Sequence, residues 1–333
     1  MTALAIDIGG TKFAVALVHP DGTMTRRAEL PVGPDPVATL ASLVRDTAVA
    51  DLTGVGIGSA GPIDSVAGTV SPVNIPSWRD FPLVDTVREL LAGLPGPRGV
   101  PVALAGDGQC MALGEWWRGG HGGSGSRVML GIVVSTGVGG GLVLDGVPYL
   151  GPTGNAGHIG HISVDPRGEP CPCGAVGCLE TVASGPSMVR WALANGWTCP
   201  AAHPDAKALA ADAARGVLPA QRAFQRTADA LASAILTTAA LFDVDDVVIG
   251  GGVAAAGETL LAPFARRSPS RPDSASCDAS PSSGPRWNVT RVCTAPPPWS
   301  FPPRRERLTG ALERRRGTSS GAEQILKRRR DLG

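Results

Sequence analysis

One histidine and three cysteines lie close together in the middle of the chain, and they constrain its fold more than any other feature. His161, Cys171, Cys173 and Cys178 fall within 18 residues, with glycines and prolines between them that let the backbone turn sharply. One imidazole and three thiolates fill a tetrahedral shell without water, which is the pattern of a structural zinc site. The alternatives are a disulfide or unconnected thiols, although Cys-x-Cys is an awkward spacing for a bridge. The sequence predicts a zinc knuckle over residues 158–180.

Length, charge and cysteine content limit the class of protein. At 333 residues the chain exceeds what one hydrophobic core usually supports, so two domains are expected. The formal net charge of +1 gives no reason to expect nucleic acid or a membrane as a partner. The apolar N-terminal run contains Asp7 and Lys12, so it is read neither as a secretory signal nor as a membrane span. Seven cysteines, an odd number, fit a reducing cytoplasm, which is the predicted location.

Two segments share the order strand, glycine-rich turn, strand. Apolar residues at 3–6 and 13–18 flank the sequence DIGGTK at 7–12, and residues 128–146 repeat the pattern around STGVGGG. Both segments are typical of β-hairpins. Because the repeat spans more than a hundred residues, it predicts two similar halves.

Helical and strand patterns alternate around these hairpins. Four segments between them are predicted as helix 36–50, strand 54–60, helix 84–93 and strand 101–105. After the cysteines, the predicted elements are helices at 184–196, 205–214 and 220–241, a strand at 246–249 and a helix start after Gly252. Alternation of this kind predicts an α/β fold.

The composition changes near Arg267. Proline, serine and arginine dominate residues 267–333 and apolar periodicity is lost, so this segment is predicted to be largely disordered, with a short helix near 306–315 or 321–330. Two explanations are open: a natural basic appendage, or an out-of-frame ending of the gene. The arginine-rich end is not expected to bind nucleic acid, because it has no folded frame.

The turns at 7–12 and 135–141 have the composition of phosphate-binding loops. Glycine lets the main chain approach a phosphate without a Cβ atom, so backbone N–H groups and the Thr11 hydroxyl can bind its oxygens. Neither turn is a Walker P-loop, because neither has the order GxxxxGK[ST] before a helix. Each alone is also an ordinary hairpin tip. Because the pattern occurs twice, we predict that the two turns bind the same triphosphate from opposite sides.

Asp107 is the candidate catalytic base. A short apolar strand leads through Gly106 to Asp107 and Gly108 at the start of a predicted helix. A carboxylate between glycines at a strand end is accessible to a cleft. Aspartate is also a frequent helix N-cap, and both roles stay open at this point.

Seven separated motifs together resemble one family. They are DIGGTK, GSAGPID, SPVNIPSW, the segment around Asp107, STGVGGG, the knuckle from GHIGH to GCLE, and VVIGGGVA. Over about residues 3–266 the chain resembles the ROK sugar kinases and repressors of the actin-like ATPase superfamily, most closely the glucokinase branch. The resemblance implies two actin-like (ribonuclease H-like) domains, 1–105 and 106–266, with a cleft between them and the zinc knuckle in the second. Only six residues precede Asp7, where the family's repressors carry a helix-turn-helix, so an enzyme is expected.

The resemblance also implies roles for individual residues. Asp107 would take the proton from the 6-hydroxyl of a sugar as it attacks the γ-phosphate of ATP, and Asp7 would hold hydrated Mg²⁺. The residues implied at the nucleotide are Gly9, Gly10, Thr11, Lys12, Thr136, Gly137, Gly139, Gly140, Gly251 and Gly252. The residues implied at the sugar are Asn74, Asn155, His158, His161 and Glu180. His161 would serve both sugar and structural Zn²⁺ through different ring nitrogens.

Three departures from the family pattern leave the substrate open. His158 stands where glucokinases have a glutamate and resembles the N-acetylmannosamine kinases, and Gly106 stands where an asparagine contacts sugar. The family's covering C-terminal helix has no match after Arg267. Glucose is the first expectation, with N-acetylmannosamine, an amino-sugar or a cyclitol as alternatives. The other hypotheses are a sugar-sensing regulator without phosphoryl transfer and a kinase damaged by its tail. The resemblance further implies a homodimer or homotetramer.

Overall fold

The first of two five-stranded sheets is built from the N-terminal third of the chain. The computed structural model describes residues 2–120, 125–267 and 288–293. The strands of the first sheet are β1 (Thr2–Ile8), β2 (Lys12–Val18), β3 (Met24–Pro31), β4 (Leu52–Ser59) and β7 (Val102–Gly106). Their order is β3-β2-β1-β4-β7. The pairs β1–β2 and β2–β3 are antiparallel, whereas β1, β4 and β7 run parallel.

Two helices and a small ladder complete this half. The helices are α1 (Pro36–Thr47) and α2 (Leu83–Ala92), and β5 (Ile63–Asp64) pairs with β6 (Thr69–Val70). Asp35 caps α1, because its carboxylate accepts a hydrogen bond from the Ala38 N–H, and proline follows at the first helical position. The apolar faces of α1, α2 and the sheet form one core that includes Leu40, Val87 and Trp78.

The second sheet repeats the plan of the first. Its strands are β8 (Val128–Val134), β9 (Val138–Leu144), β10 (Val147–Pro148), β11 (Asp246–Gly250) and β12 (Asn288–Cys293), in the order β10-β9-β8-β11-β12. The pairs β8–β9 and β9–β10 are antiparallel, and β8, β11 and β12 are parallel. Each sheet therefore has one antiparallel meander and two added parallel strands, which confirms the predicted repeat.

Within the described part of the chain, six α-helices accompany the second sheet. They are α3 (Asp107–Arg118), α4 (Leu179–Ala183), α5 (Gly185–Ala194), α6 (Ala206–Ala214), α7 (Leu218–Phe242) and α8 (Glu258–Arg267). The long helix α7 buries a face of small residues together with Phe224 and Leu231, and this face packs with Trp197 into a second core. Small residues on that face permit close packing of neighbouring helices.

The structure confirms the α/β fold and the predicted elements, with shifts at their ends. The helix predicted at 36–50 ends at Thr47, because Ala48 is extended. The short helix α4 was missed because only five residues form it. Both sheets lie within one compact unit of the chain, and the boundary between 105 and 106 stays a prediction. Among the described residues, no helix is both long and apolar enough to span a membrane.

The segment 267–333, which is predicted to be largely disordered, contains one described strand. Residues Asn288–Cys293 form β12 and pair in parallel with β11. The sequence NVTRVC is rich in β-branched residues, and β11 is buried along its whole length, so pairing satisfies its backbone groups. Composition hid this strand because proline and serine surround it. The short helix predicted near 306–315 or 321–330 lies outside the described residues.

Candidate active site

The carboxyl ends of three parallel strands bring two aspartates to one edge of the first sheet. Asp7 pairs with Gly58 in β4, and Gly58 pairs with Ala105 in β7, two residues before Asp107. Since neighbouring strands lie about 4.8 Å apart, the backbones of β1 and β7 are separated by about 10 Å across β4. The two carboxylates are thus close enough for their charges to interact.

Asp7 has a strongly perturbed carboxyl group. Its pKa is raised to about 7: burial is the largest cause, the neighbouring charge of Asp107 adds to the rise, and Lys12 opposes it. The surroundings of this carboxyl group supply too little positive charge to keep it fully ionised near neutral pH. A bound cation would supply that charge and keep the group ionised.

Asp107 is the first residue of α3, and its helix N-cap is Gly106. The alternative that Asp107 itself caps the helix is therefore wrong. Its carboxylate is accessible to solvent, yet protein atoms crowd it on most sides, and this desolvation raises its pKa. The Gly108 N–H donates a hydrogen bond of 2.7 Å to Oδ1 and opposes the rise, while the charge of Glu180 adds to it. An accessible carboxylate with a raised pKa is suited to accept a proton.

The first glycine-rich turn is closed by its own backbone. The Gly9 N–H donates to the Lys12 carbonyl at 3.1 Å, and Thr11 and Lys12 are exposed. Gly10 lies directly against the side chain of Asn74, with no room for a Cβ atom between them. Lys12 Nζ lies 3.0 Å from the Glu29 carboxylate on β3. Asn74, predicted at the sugar, thus sits beside the predicted phosphate turn.

The second turn, residues 135–138, lies beside the glycines that follow β11. Val253 N–H donates to the Val134 carbonyl at 3.0 Å, and Gly251 approaches the same carbonyl closely. At the start of α5, the Gly185 N–H donates to the Ser135 carbonyl at 2.8 Å. The structure therefore brings together the two segments predicted at opposite ends of the nucleotide: Thr136 and Gly137 in one, Gly251 and Gly252 in the other.

The remaining glycines of STGVGGG lie within β9. Gly140 is buried, and a Cβ atom there would lie 2.8 Å from the Gly131 carbonyl. A Cβ atom on Gly141 would lie 2.5 Å from Gln109 Cα in α3. Gly139 has more room, since the nearest atom to its Cβ position is Asp107 Oδ1 at 3.8 Å. Close packing against β8 therefore explains Gly140, and close packing against α3 explains Gly141. Phosphate contact by Gly139 and Gly140 stays a prediction.

Two residues predicted to bind sugar form hydrogen bonds within the protein. Glu180 accepts a hydrogen bond of 2.8 Å from the Val138 N–H, so its carboxylate lies against the second turn. Asn155 accepts from the Ile63 N–H at 3.2 Å and donates to the Ile63 carbonyl at 2.6 Å. The Asn155 amide therefore links its loop to β5, and its contact with sugar stays a prediction.

His158 occupies a narrow space between the ends of β4 and β7. A Cβ atom on Gly61 would lie 3.3 Å from His158 Cε1, and one on Gly106 would lie 3.8 Å from Nε2. Burial lowers the pKa of His158, the charge of His161 lowers it further, and Glu180 opposes the change. His158 and Gly106, both departures from the family pattern, are thus neighbours in space.

His161, Cys171, Cys173 and Cys178 form the predicted cluster, and their ligand atoms all lie within 4.8 Å of one another. Cys173 Sγ lies 3.6 Å from Cys178 Sγ, and Cys171 Sγ lies 3.7 Å from His161 Nδ1. A tetrahedral zinc with Zn–S bonds of about 2.3 Å has ligand separations of about 3.8 Å, whereas a disulfide needs about 2.0 Å. The three thiols are free, and the cluster fits one tetrahedral metal ion.

Gln109 is a site residue that the sequence reasoning missed. It is buried two residues after Asp107, with its side chain hydrogen-bonded at both ends. A glutamine at the third position of a helix is a known capping signal, and this signal could have identified it.

Comparison with known proteins places this site in a family. The chain is 36% identical over 289 residues to a glucokinase of Halalkalibacterium halodurans, and this alignment covers 78% of this chain and 83% of the glucokinase. It is 38% identical over 259 residues to an N-acetylmannosamine kinase of Salmonella typhi, with 76% and 84% covered. A ROK family glucokinase of Streptomyces griseus, solved with glucose and AMPPNP, superposes with a TM-score of 0.65 at 30% identity, covering 80% of this chain and 88% of that one.

The model of the ROK family matches residues 3–276, ten residues further than the motifs indicated. The match covers most of the chain, and relatives above 30% identity share most of their length with it. The chain belongs to the ROK family.

Proposed function

We propose that this protein transfers the γ-phosphoryl group of ATP to the 6-hydroxyl of a hexose, with Asp107 as the general base. The observation that carries the proposal is Asp107 itself: an accessible carboxylate at a strand end whose pKa is raised by surrounding protein. Relatives named as sugar kinases and a similar structure solved with a sugar and an ATP analogue support the reaction.

The nucleotide would lie between the two glycine-rich turns. The first turn presents the exposed Thr11 and Lys12, and the second presents Thr136 beside Gly251 and Gly252. Backbone N–H groups in such turns bind phosphate oxygens. Most of the catalysis of phosphoryl transfer comes from positioning and charge neutralisation, so these turns would orient the γ-phosphate toward the sugar hydroxyl.

Asp7 would hold hydrated Mg²⁺. Its pKa of about 7 reflects burial and the nearby charge of Asp107, which leave the site short of positive charge. When bound, Mg²⁺ would neutralise charge on the transferred phosphate. Asp107 then needs only to accept the hydroxyl proton at its carboxylate as the new O–P bond forms.

The Cys/His cluster would hold a structural Zn²⁺. Its one imidazole and three thiols match the closed ligand set of structural zinc sites. Cys178 lies two residues before Glu180, and His161 lies three residues after His158. The ion would therefore fix the loop that carries both predicted sugar ligands, without entering the reaction.

Glucose is the first candidate substrate, and N-acetylmannosamine is the alternative. Relatives carrying each name are similarly identical to this chain. His158 favours the alternative, because burial keeps its imidazole neutral near pH 7 and a neutral imidazole can donate one hydrogen bond and accept another. A glutamate there would only accept. The cytoplasmic location and the homodimer or homotetramer stay predictions.

Turnover of ATP by the purified protein tests the proposal, with glucose, N-acetylmannosamine, glucosamine and kanosamine as acceptors. We expect one acceptor to be favoured and Asp107→Asn to lower its turnover by about 10²–10⁴-fold, the usual share of general base catalysis. Asp145→Asn is the matched control, since Asp145 is an exposed carboxylate paired with Arg127. Sugar binding without turnover on any acceptor would contradict the proposal and favour the sugar-sensing regulator.

A further inference from the structure

Gln109 connects two parts of the site through one buried amide. Its side chain is 1% exposed. Oε1 accepts a hydrogen bond of 3.0 Å from the Gly106 N–H. Nε2 donates to the Gly154 carbonyl at 3.0 Å and to the Ala156 carbonyl at 2.7 Å. Both amide hydrogens and the carbonyl oxygen are therefore used, and the amide holds the end of β7 to a loop more than forty residues away.

That loop, residues 151–157, is also fixed to the first half of the chain. The Asn155 amide bonds both backbone groups of Ile63, and the Ser65 N–H donates to the Thr153 carbonyl at 3.3 Å. His158 follows the loop directly. The loop thus joins β5, the β7–α3 junction and His158, and Gln109 is its connection to that junction.

The position of the Asp107 carboxylate depends on this junction. Asp107 lies between two glycines. The Gly106 N–H donates a hydrogen bond to Gln109 Oε1, and the Gly108 N–H donates one to Asp107 Oδ1. Glycines on both sides add no side-chain packing of their own. A displacement of about 1 Å in a reacting group can cost about 10²-fold in rate, so the anchor of this backbone matters for catalysis.

We propose that Gln109 is a positioning residue for the base: its amide fixes the backbone of Gly106 and thereby the place of the Asp107 carboxylate. The inference rests on the proposed function, in which Asp107 accepts the proton. Gln109 acts through Asp107 and contacts neither substrate.

Steady-state kinetics of Gln109→Glu and Gln109→Met test this role. Glutamate has the same shape and keeps an acceptor for Gly106 but offers no amide hydrogens to the two carbonyls, whereas methionine lacks every hydrogen bond. We expect kcat to fall about 10²-fold for methionine and less for glutamate, with the KM of sugar and ATP within about threefold of the parent. Gln221→Glu is the matched control, because Gln221 also donates to a backbone carbonyl, that of Ala213.

The double variant Asp107→Asn/Gln109→Met separates positioning from a merely structural role. If Gln109 acts through Asp107, its substitution costs no further rate once the base is gone. Equal losses with and without Asp107, or an unchanged kcat in the folded fraction of both Gln109 variants, would overturn the proposal. If methionine prevents folding, Gln109→Asn carries the same test, because its shorter side chain withdraws the acceptor from the Gly106 N–H while keeping an amide. Undiminished turnover by Asp107→Asn alone would instead overturn the proposed function, whatever Gln109 does.

Discussion

The two glycine-rich hairpins share a sequence pattern, but different contacts hold them. In the first hairpin, a turn hydrogen bond joins Gly9 to Lys12, and Gly10 lies against the Asn74 side chain from its Nδ2 to its Cβ atom. In the second, Gly140 and Gly141 lie inside β9 against the backbones of β8 and α3. An added Cβ atom would meet backbone in both hairpins, but in the first it is the backbone of the turn itself, since the Lys12 carbonyl would lie 2.8 Å from a Cβ atom on Gly9. The same glycine pattern therefore reflects turn closure in one half and close packing in the other.

A methyl group at Gly141 is expected to cause the largest loss of stability among these variants. In Gly141→Ala the Cβ atom would lie 2.5 Å from Gln109 Cα, so α3 must move away from β9. We expect a loss of about 3 kcal/mol or more in the free energy of unfolding, measured with urea. Gly139→Ala is the control, since its Cβ has no neighbour closer than 3.8 Å. Equal losses in both variants would mean that packing against α3 does not explain the second hairpin.

Asp7, at the base of the first hairpin, should make stability depend on pH. Its pKa is 3.8 ordinarily and about 7 in the folded protein, so the folded state holds the proton more tightly. Stability is then lost as pH rises from about 4 to about 7, by up to about 4 kcal/mol at 1.36 kcal/mol per pH unit. Without added Mg²⁺, Asp7→Asn should therefore be more stable than the parent at pH 8 and equally stable near pH 3.

Urea unfolding of Asp7→Asn and the parent at both pH values measures this difference. Asp145→Asn is the control, because the ion pair with Arg127 lowers the pKa of Asp145 and gives the opposite sign. A parent protein that loses no stability relative to Asp7→Asn between pH 3 and pH 8 would show that Asp7 is ionised at no cost in the fold.

Glu180 should stabilise the second hairpin through one hydrogen bond. Glu180→Ala leaves the buried Val138 N–H without its acceptor, at an expected cost of about 1–3 kcal/mol. Glu180→Gln keeps an acceptor oxygen, so its unfolding free energy should stay within about 1 kcal/mol of the parent. Calorimetric melting of the two variants measures the contrast. If glutamine is as harmful as alanine, the charge of Glu180 rather than this hydrogen bond supports the turn.

The smallest effect is expected at Lys12 in the first hairpin. Its ion pair with Glu29 joins two half-exposed side chains at 3.0 Å, and such pairs contribute about 0–1 kcal/mol. Lys12→Met should change the unfolding free energy by less than about 1 kcal/mol, and the change should shrink in 1 M salt. Glu29→Gln removes this pair and also the one between Glu29 and Arg27 at 3.6 Å, so its loss should equal or slightly exceed that of Lys12→Met. A loss above about 2 kcal/mol would show that the first hairpin also depends on its side chains for folding.

Local patterns predicted the features formed by neighbouring residues. Both hairpins, the helix after Asp107 and the Cys/His cluster are contained in short segments, so composition and spacing suffice. The bonds from Gln109 to Ala156 and from Asn155 to Ile63 join residues 47 and 92 positions apart. Nothing near Asn155 indicates that its amide is used by Ile63. Polar residues predicted to bind ligand can therefore belong to long-range contacts that only the fold shows.

The raised pKa values of Asp7 and Asp107 also lay beyond the sequence. They depend on desolvation and on the register that sets β1, β4 and β7 side by side. The proximity of His158 to Gly106 has the same origin, since residues 158 and 106 meet only when their segments are placed together. The sequence showed that His158 and Gly106 depart from the family pattern, and the fold shows that these two departures lie next to each other.

The pairing of β12 with β11 has a practical consequence for handling this protein. A protein shortened at residue 266, where the composition changes, would leave β11 as the edge of its sheet. Every residue of β11 is buried, and an exposed apolar edge strand favours pairing with other molecules. Shortened versions intended for crystallisation or enzymology should therefore end beyond Cys293, because an earlier stop would leave β11 free to pair with other molecules.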